Sequence, residues 1–238
     1  STGLISVLSR AKEVIGFDKN PLSFLFTKRI KHVFGNGTHE VERNLKLIEH
    51  LSDSKLSVPK LYPSVADFQK LEYNDKYITI SPSSVWFTKQ YPKKKWIEFL
   101  NGLSEGLKVF VLGGKGDFEF CTKIKNASSH NNIEVVAGKY SFMESAALMK
   151  SAKMNYVNDS APLHLCSAVN APCTAIFCST VPDFGFGPLS EKSFIIETSE
   201  KLDCRPCGIH GFKECPIKTF KCAYSIDISK MLNKLPSN

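Results

Sequence analysis

Two hundred and thirty-eight residues leave room for one large domain or two small ones, and 42% hydrophobic with 23% charged residues is ordinary globular usage. That excludes a disordered chain, a collagen-like repeat and a coiled-coil rod. No apolar run approaches the ~18 residues of a membrane-spanning helix, and 31 Lys and Arg against 23 Asp and Glu, a net +8, favour anionic partners: phosphorylated small molecules, nucleic acid or an acidic lipid head group.

The start, STGLISVLSRAKEVIG, lacks the basic, apolar and cleavage regions of a secretory signal, so the default compartment is the cytoplasm. It also lacks an initiator Met, as a processed or truncated end would. Residues 1–76 predict helices at about 3–13, 39–52 and 65–72, one weak strand in VIGF, and loops holding Pro21, Gly35, Gly37, Pro59 and Pro63. A complete α/β domain usually needs ~100 residues or more, so this stretch reads as part of one.

From Tyr77 onward strand-like and helix-like segments alternate. YITISPSS is a strand running into a polar turn, and Tyr91 to Leu107 carries Trp96, Phe99, Leu100 and Leu103 at helical spacing. KVFVLGG is a strand, Asp117 to Asn126 a helix, IEVVAG a strand, and SFMESAALMKSA a helix opened by the Ser141/Glu144 capping-box spacing. MNYVND, PCTAIFC and SFIIE follow as strands, with SAPLHLCSAV as the helix after the first of them. Short apolar strands alternating with helices predict an α/β fold, a Rossmann-like parallel sheet covered on both faces over 77–238.

Three strand ends carry chemistry. At YVNDSAPLHLCSAV a strand ends at Asn158, Asp159 and Ser160 are good N-caps, and Pro162 falls in the first helical turn. Free N–H groups of Ser160, Ala161 and their neighbours then face the C-terminal edge of the sheet, where open α/β sheets bind ligands and a phosphate is a natural guest. Asp159 there suits sugar hydroxyls, and His164 lies one turn in. A well-capped helix with a packed histidine is the other reading of the same residues. In SPSSVWFTKQYP, Ser83, Ser84 and Thr88 offer hydroxyls to phosphate oxygens and Lys89 a point charge; a solvated lysine is the bland alternative. No Walker loop occurs. In VLGGKGDFEF, Asp117 follows a glycine loop and suits ribose hydroxyls, although such a loop is often only a tight turn. In one parallel sheet all three ends open on one rim, and together they describe a site for a nucleotide joined through a diphosphate to a sugar.

Of eight cysteines, Cys121, Cys166, Cys173 and Cys178 sit singly in apolar stretches, as small buried hydrophobes do. Cys204-x2-Cys207-x7-Cys215-x6-Cys222 supplies four thiols, enough for a tetrahedral structural zinc site with His210 as a substitute ligand. Only one Cys-x2-Cys knuckle is present, however. Reduced thiols packed beneath the final helix, or disulfides formed after purification, fit the same spacing.

FTKQYPKKKW, LGGKGD, SFMESAALMKSA, NDSAPLHLCSAV and FGFGPLS resemble, in order and spacing, the motifs of family 9 glycosyltransferases, the bacterial lipopolysaccharide heptosyltransferases. The tail CRPCGIHGFKECPIKTFKCAYSI and the early segments VIGFDKNPLSFLFTKRI and HEVERNLKLIEHL are similar to theirs too, so the resemblance spans nearly the whole chain. It implies a GT-B architecture, with 1–76 a remnant of the N-terminal, acceptor-side Rossmann-like domain and 77–238 the nucleotide-sugar domain with its Cys-rich tail. It also implies an inverting, metal-independent transfer from ADP-L-glycero-D-manno-heptose to a lipopolysaccharide core acceptor, with no catalytic cofactor. By that resemblance Lys89 and the hydroxyls of Ser83, Ser84 and Thr88 hold the diphosphate and Asp117 the ribose. Asp159 contacts the sugar, Ser160 to Leu163 offer N–H groups with His164 nearby, and Glu144 lies near adenosine or is only a helix cap.

The chain departs from the family at Ala161, where Gly is usual. The family's opening strands, glycine loop and general-base carboxylate are not in the sequence, so the catalytic base is expected outside this chain and transfer is expected to be impaired. Lys93 to Lys95 and Lys28 to His32 supply a basic surface for an anionic lipid-linked acceptor at the inner face of the inner membrane. Two other readings stay open: another nucleotide sugar, or a nucleotide- or nucleic-acid-binding module. The aromatics sit mostly at core spacing rather than within basic runs, which argues against nucleic acid.

Overall fold

The computed structural model of the chain describes residues 2–53, 55, 57–71, 73 and 76–235. It contains two compact units, residues 1–58 with 182–186 and residues 59–181 with 187–238.

In the first unit lie α1 (Thr2–Leu8), β1 (Ile15–Phe17), β2 (Lys28–Ile30) and α2 (Glu40–Leu45), with β1 and β2 paired in parallel. The helix predicted over 3–13 stops early, and just beyond it Arg10 adopts a φ of +55°, which a right-handed helix cannot include. The helix predicted over 39–52 is α2 followed by a separate 3-10 turn at Glu49–Leu51. Strand β2 carries no apolar alternation, only two exposed cations before Ile30, which is why it reads from sequence as a basic cluster. His32 does not extend that basic surface. Its side chain is fully buried, with the ring 4.5 Å from both Phe17 and Phe34 and Nε2 2.9 Å from Lys19 Nζ. Arg43, also buried, donates to the carbonyls of Thr38 and Phe184, both at 2.5 Å, and so ties residues 182–186 into this unit.

The second unit opens with α3 (Val65–Gln69), capped by Ser64; the helix predicted over 65–72 is thus shorter, and residue 72 lies outside the described residues. Residues 59–76, which the sequence groups with the first lobe, lie here, and the Leu61 N–H donates to Ala168 O at 2.8 Å. The sheet is built from β3 (Tyr77–Ser81), β4 (Lys108–Val111), β5 (Ile133–Val135), β6 (Met154–Asn158), β7 (Cys173–Phe177) and β8 (Ser193–Glu197). All pairs are parallel and the spatial order is β5-β4-β3-β6-β7-β8. The chain starts in the middle, winds outward, then returns to β6 beside β3. That reversal is a topological switch point.

Helices α4 (Lys93–Asn101), α5 (Phe118–Ala127), α6 (Phe142–Ser151) and α7 (Ala161–Ala168) connect the strands, and α8 (Lys221–Tyr224) and α9 (Ser229–Leu232) end the chain. Strands β3, β6 and β7 are buried at every position, so their residues alternate between two apolar layers rather than between core and water. One layer joins Ile78, Ile80, Val109, Val111 and Tyr156 to Trp96, Phe99 and Leu100 of α4, Ile124 of α5 and Met231 of α9. The other joins Tyr77, Phe110, Val157 and Ala175 to Leu148 and Met149 of α6 and Leu163 of α7. Each fully buried Phe or Leu contributes about 1.5–3 kcal/mol, and these two layers hold the strand ends on a common edge.

Candidate functional site

At that edge a cavity of about 480 Å³ opens over the ends of β3, β4 and β6. Its polar wall is Ser81 at the end of β3, Ser83 and Ser84 just beyond it, Gly113, Gly114, Lys115 and Asp117 of the loop after β4, and Ser160 with Ala161 at the start of α7. Leu112, Tyr140, Phe142, Met149 and Leu165 make the apolar side. Ser160 has an extended backbone, Pro162 in the first turn has no N–H, and the Leu163 N–H donates to Ser160 O at 3.0 Å, so of the first three residues of α7 it is Ala161 whose N–H has no intrahelical acceptor and faces this end of the helix. The positive end of the helix dipole adds to it.

The glycine loop is shaped by its own acid. Asp117 Oδ2 accepts the Gly114 N–H at 2.7 Å, closing a 3-10 turn over Lys115–Asp117. Gly113 permits this close return, since a Cβ there would sit 2.8 Å from Asp117 Cβ. Ser81 carries no sequence signal, yet its hydroxyl is buried on the cavity lining with no hydrogen-bond partner. A buried orphan hydroxyl is rare and calls for a ligand or a water.

Of the ten residues singled out from the sequence, Ser83, Ser84, Asp117, Ser160 and Ala161 line the cavity. Lys89 and Asp159 pair with one another beside it: Lys89 Nζ is 2.7 Å from Asp159 Oδ2, with side chains only 14% and 6% exposed. Thr88 is not on the cavity lining. Its Oγ1 accepts the Phe212 N–H at 2.7 Å and the Ser179 hydroxyl at 3.0 Å, which ties it to the tail and to the segment after β7. Glu144 also lies off the lining. It caps its own helix, Oε2 accepting the Ser141 N–H at 2.7 Å, and it pairs with Lys70. Those contacts, the Lys70 ammonium foremost, pull its carboxyl down to about 2. His164, one turn into α7, is exposed and outside the cavity lining.

Two further residues organise this edge. Asn158, fully buried at the end of β6, accepts the Tyr91 N–H on Oδ1 and donates through Nδ2 to Pro82 O at 2.9 Å and Ser83 O at 3.3 Å. It thereby fixes the serine turn after β3. Thr180 donates its hydroxyl to Asp159 Oδ2 at 2.6 Å.

Residues 2–212 match the model of glycosyltransferase family 9 (heptosyltransferase). The chain belongs to this family. It is 28% identical over 156 residues to lipopolysaccharide heptosyltransferase 3 of Escherichia coli K12, a match covering 61% of this chain and 45% of that protein. Lipooligosaccharide heptosyltransferase 2 of Campylobacter jejuni is 23% identical over 98% of this chain and 70% of its own length. The solved E. coli ADP-heptose LPS heptosyltransferase II superimposes with a TM-score of 0.75 at 20% identity, over 98% of this chain and 72% of that one. The chain thus spans about half the length of the first of these relatives, and its mixed α/β fold is of the GT-B class.

In this family 9 chain the Cys-rich tail meets the edge through its backbone. Among the described residues no three His, Cys, Asp or Glu side chains converge to hold a metal ion, so the zinc site that is one reading of Cys204, Cys207, Cys215 and Cys222 does not appear among them, and the four are free cysteines. The thiols are used otherwise. Cys207 Sγ donates to Cys204 O, Cys215 Sγ accepts the Phe220 N–H at 3.3 Å, and Cys222 turns into the core on α8. Burial, and then the neighbouring tail cysteines, raise the Cys207 thiol and push Cys222 up to about 11. Across the described residues no helix is long and apolar enough to cross a membrane.

Proposed function

We propose that the second unit binds the ADP part of an ADP-heptose donor, and that the enzyme to which this chain corresponds transfers the heptose, with inversion and without a metal, to a lipopolysaccharide core acceptor. The observation that carries this reading is the cavity at the switch point, where the α7 N-terminus, the serine turn and the Asp117 loop converge. In this reading the diphosphate lies at the N-terminus of α7, toward the Ala161 N–H, with Lys89 beside it, the ribose lies toward Asp117, and adenine meets Tyr140, Phe142 and Met149. The solved E. coli relative is an ADP-heptose LPS heptosyltransferase, which supports the same donor here.

Departure of ADP places negative charge on the β-phosphate oxygens. Fixed N–H dipoles and one ammonium at a partly dry edge stabilise that charge as it develops and require little reorganisation. The base that takes the acceptor proton is assigned to no residue of this chain. Within the second unit, the exposed Lys93 and Lys94 suit an anionic lipid-linked acceptor at a membrane surface, and the exposed Lys28 and Arg29 of the first unit have the same chemistry.

The test is titration calorimetry of the full chain with ADP, UDP and a single-stranded oligonucleotide. Saturable ADP binding at least tenfold tighter than UDP supports the reading. Oligonucleotide binding that falls steeply with salt, without ADP binding, overturns it.

A further inference from the structure

We infer that Thr180, held in place by Arg205 of the Cys-rich tail, is a positioning residue for the Lys89 ammonium. The inference rests on the diphosphate reading of Lys89 proposed above.

Lys89 ends a 3-10 turn, Phe87–Lys89, and carries a long side chain with several rotatable bonds. A flexible lysine at the surface places its charge loosely. Here the ammonium is only 14% exposed in side-chain terms and meets Asp159 Oδ2 at 2.7 Å. The same oxygen accepts the Thr180 hydroxyl at 2.6 Å, and Asp159 and Thr180 are both buried. One carboxylate oxygen therefore stands between an ammonium and a hydroxyl, and the hydroxyl decides which way the carboxylate points. Deprived of it, Asp159 is free to swing and takes Lys89 with it, or leaves a bare carboxylate facing the phosphates.

Thr180 sits on the segment after β7, which has no strand ladder of its own to hold it. Arg205 supplies the hold. Its guanidinium donates to Thr180 O at 2.7 Å and to Cys178 O at 2.8 Å, and it is anchored on Glu197 Oε2 at 2.6 Å. Two residues on, the Cys207 N–H donates to Ser179 O at 2.8 Å. The tail grips Lys89 from the other side as well. The Thr88 N–H donates to Phe212 O at 3.1 Å, and Gly211 lies so close that a Cβ there would be 3.2 Å from Lys89 Cγ. Residues 205–212 thus hold both the segment that carries Thr180 and the one that carries Lys89. A planar five-donor fork suits the first task, because three carbonyl or carboxylate acceptors must be met at once.

The experiment is calorimetric titration of the full chain, wild type, Thr180→Val and Thr180→Ser, with ADP and with adenosine, alongside thermal unfolding. Thr180→Val keeps the shape and loses the hydroxyl. It is expected to weaken ADP binding about tenfold, as loss of a hydrogen bond to a charged group does, with adenosine affinity within about twofold of wild type. Thr180→Ser is expected to restore ADP binding. Should Thr180→Val fail to fold, Arg205→Lys is expected to show the same split between ADP and adenosine. Unchanged ADP affinity in Thr180→Val overturns the inference, and so does a parallel loss of ADP and adenosine binding with a lowered Tm, the mark of a merely structural role. A wild-type chain that binds no ADP overturns the donor reading itself and this inference with it.

Discussion

The side chain of Asn158 and the backbone of Tyr91 are joined by a 3.0 Å hydrogen bond, made where β6 lies beside β3 at the reversal of strand order. The amide end of the same side chain donates to the turn at Pro82 and Ser83, so one buried residue sets both the serine turn and the entry to α4.

Asn158→Asp replaces the donating amide with a second acceptor oxygen facing carbonyls. The expected cost is about 2–4 kcal/mol of stability, because a buried charge then lacks partners. Urea unfolding of the variant against wild type checks this, and a loss below about 0.5 kcal/mol contradicts the role given to the amide.

Glu144 provides a pH signature. Its carboxyl is depressed to about 2 in the folded chain by Lys70 and the Ser141 cap, against 4.5 ordinarily. A depressed acid stabilises the fold fully above its unfolded value, and that contribution fades as pH falls from about 4.5 toward 2. Glu144→Gln is expected to lower Tm at pH 7 and to flatten the dependence of Tm on pH between 5 and 3. Parallel Tm curves for the two proteins across that window argue against the pairing.

Gly211 has a φ of +77°, and a Cβ there would lie 2.9 Å from Thr88 Oγ1. Gly211→Ala combines backbone strain with that close contact and is expected to cost about 1–3 kcal/mol. Because Lys89 Cγ is the next atom displaced, ADP affinity is expected to fall as well; calorimetry and chemical denaturation on the same preparation measure both effects.

Lys89→Ala removes the ammonium next to the proposed diphosphate and leaves Asp159 without its cationic partner. ADP binding is expected to weaken by tenfold or more, from the lost charge-assisted contact and the newly unpaired acid. An ADP affinity equal to wild type removes Lys89 from the site.

Much of the second unit is legible in the sequence because its strands are apolar runs such as KVFV and CTAIF, bounded by glycine, proline or cap residues. All six segments read as strands from Tyr77 onward are strands, and their shared edge follows from the parallel alternation. The first unit is harder to read: α2 ends after six residues and β2 holds three, too few for a period to show. Asp117 is legible because the chemistry of its loop is local; Ser160 does take the N-cap position of α7, but its hydroxyl points to Asn158 O at 3.4 Å and makes no capping bond. Asn158, Thr180 and Arg205 are not legible, since their roles depend on partners from distant segments, and Ser81 is not, since its burial on the cavity lining is a product of the fold. Thr88 reads as a phosphate donor because it neighbours Lys89. What the sequence does not show is that its hydroxyl oxygen accepts the N–H of Phe212, 124 residues further along the chain.

That separation has a consequence for biosynthesis. Every strand of the sheet, up to β8 at Glu197, leaves the ribosome before Arg205, Gly211 and Phe212 do. A nascent chain can therefore complete its sheet while Lys89 still lacks its brace. The edge at Lys89 is completed after the sheet, when residues 205–212 thread back against residues translated more than a hundred codons earlier.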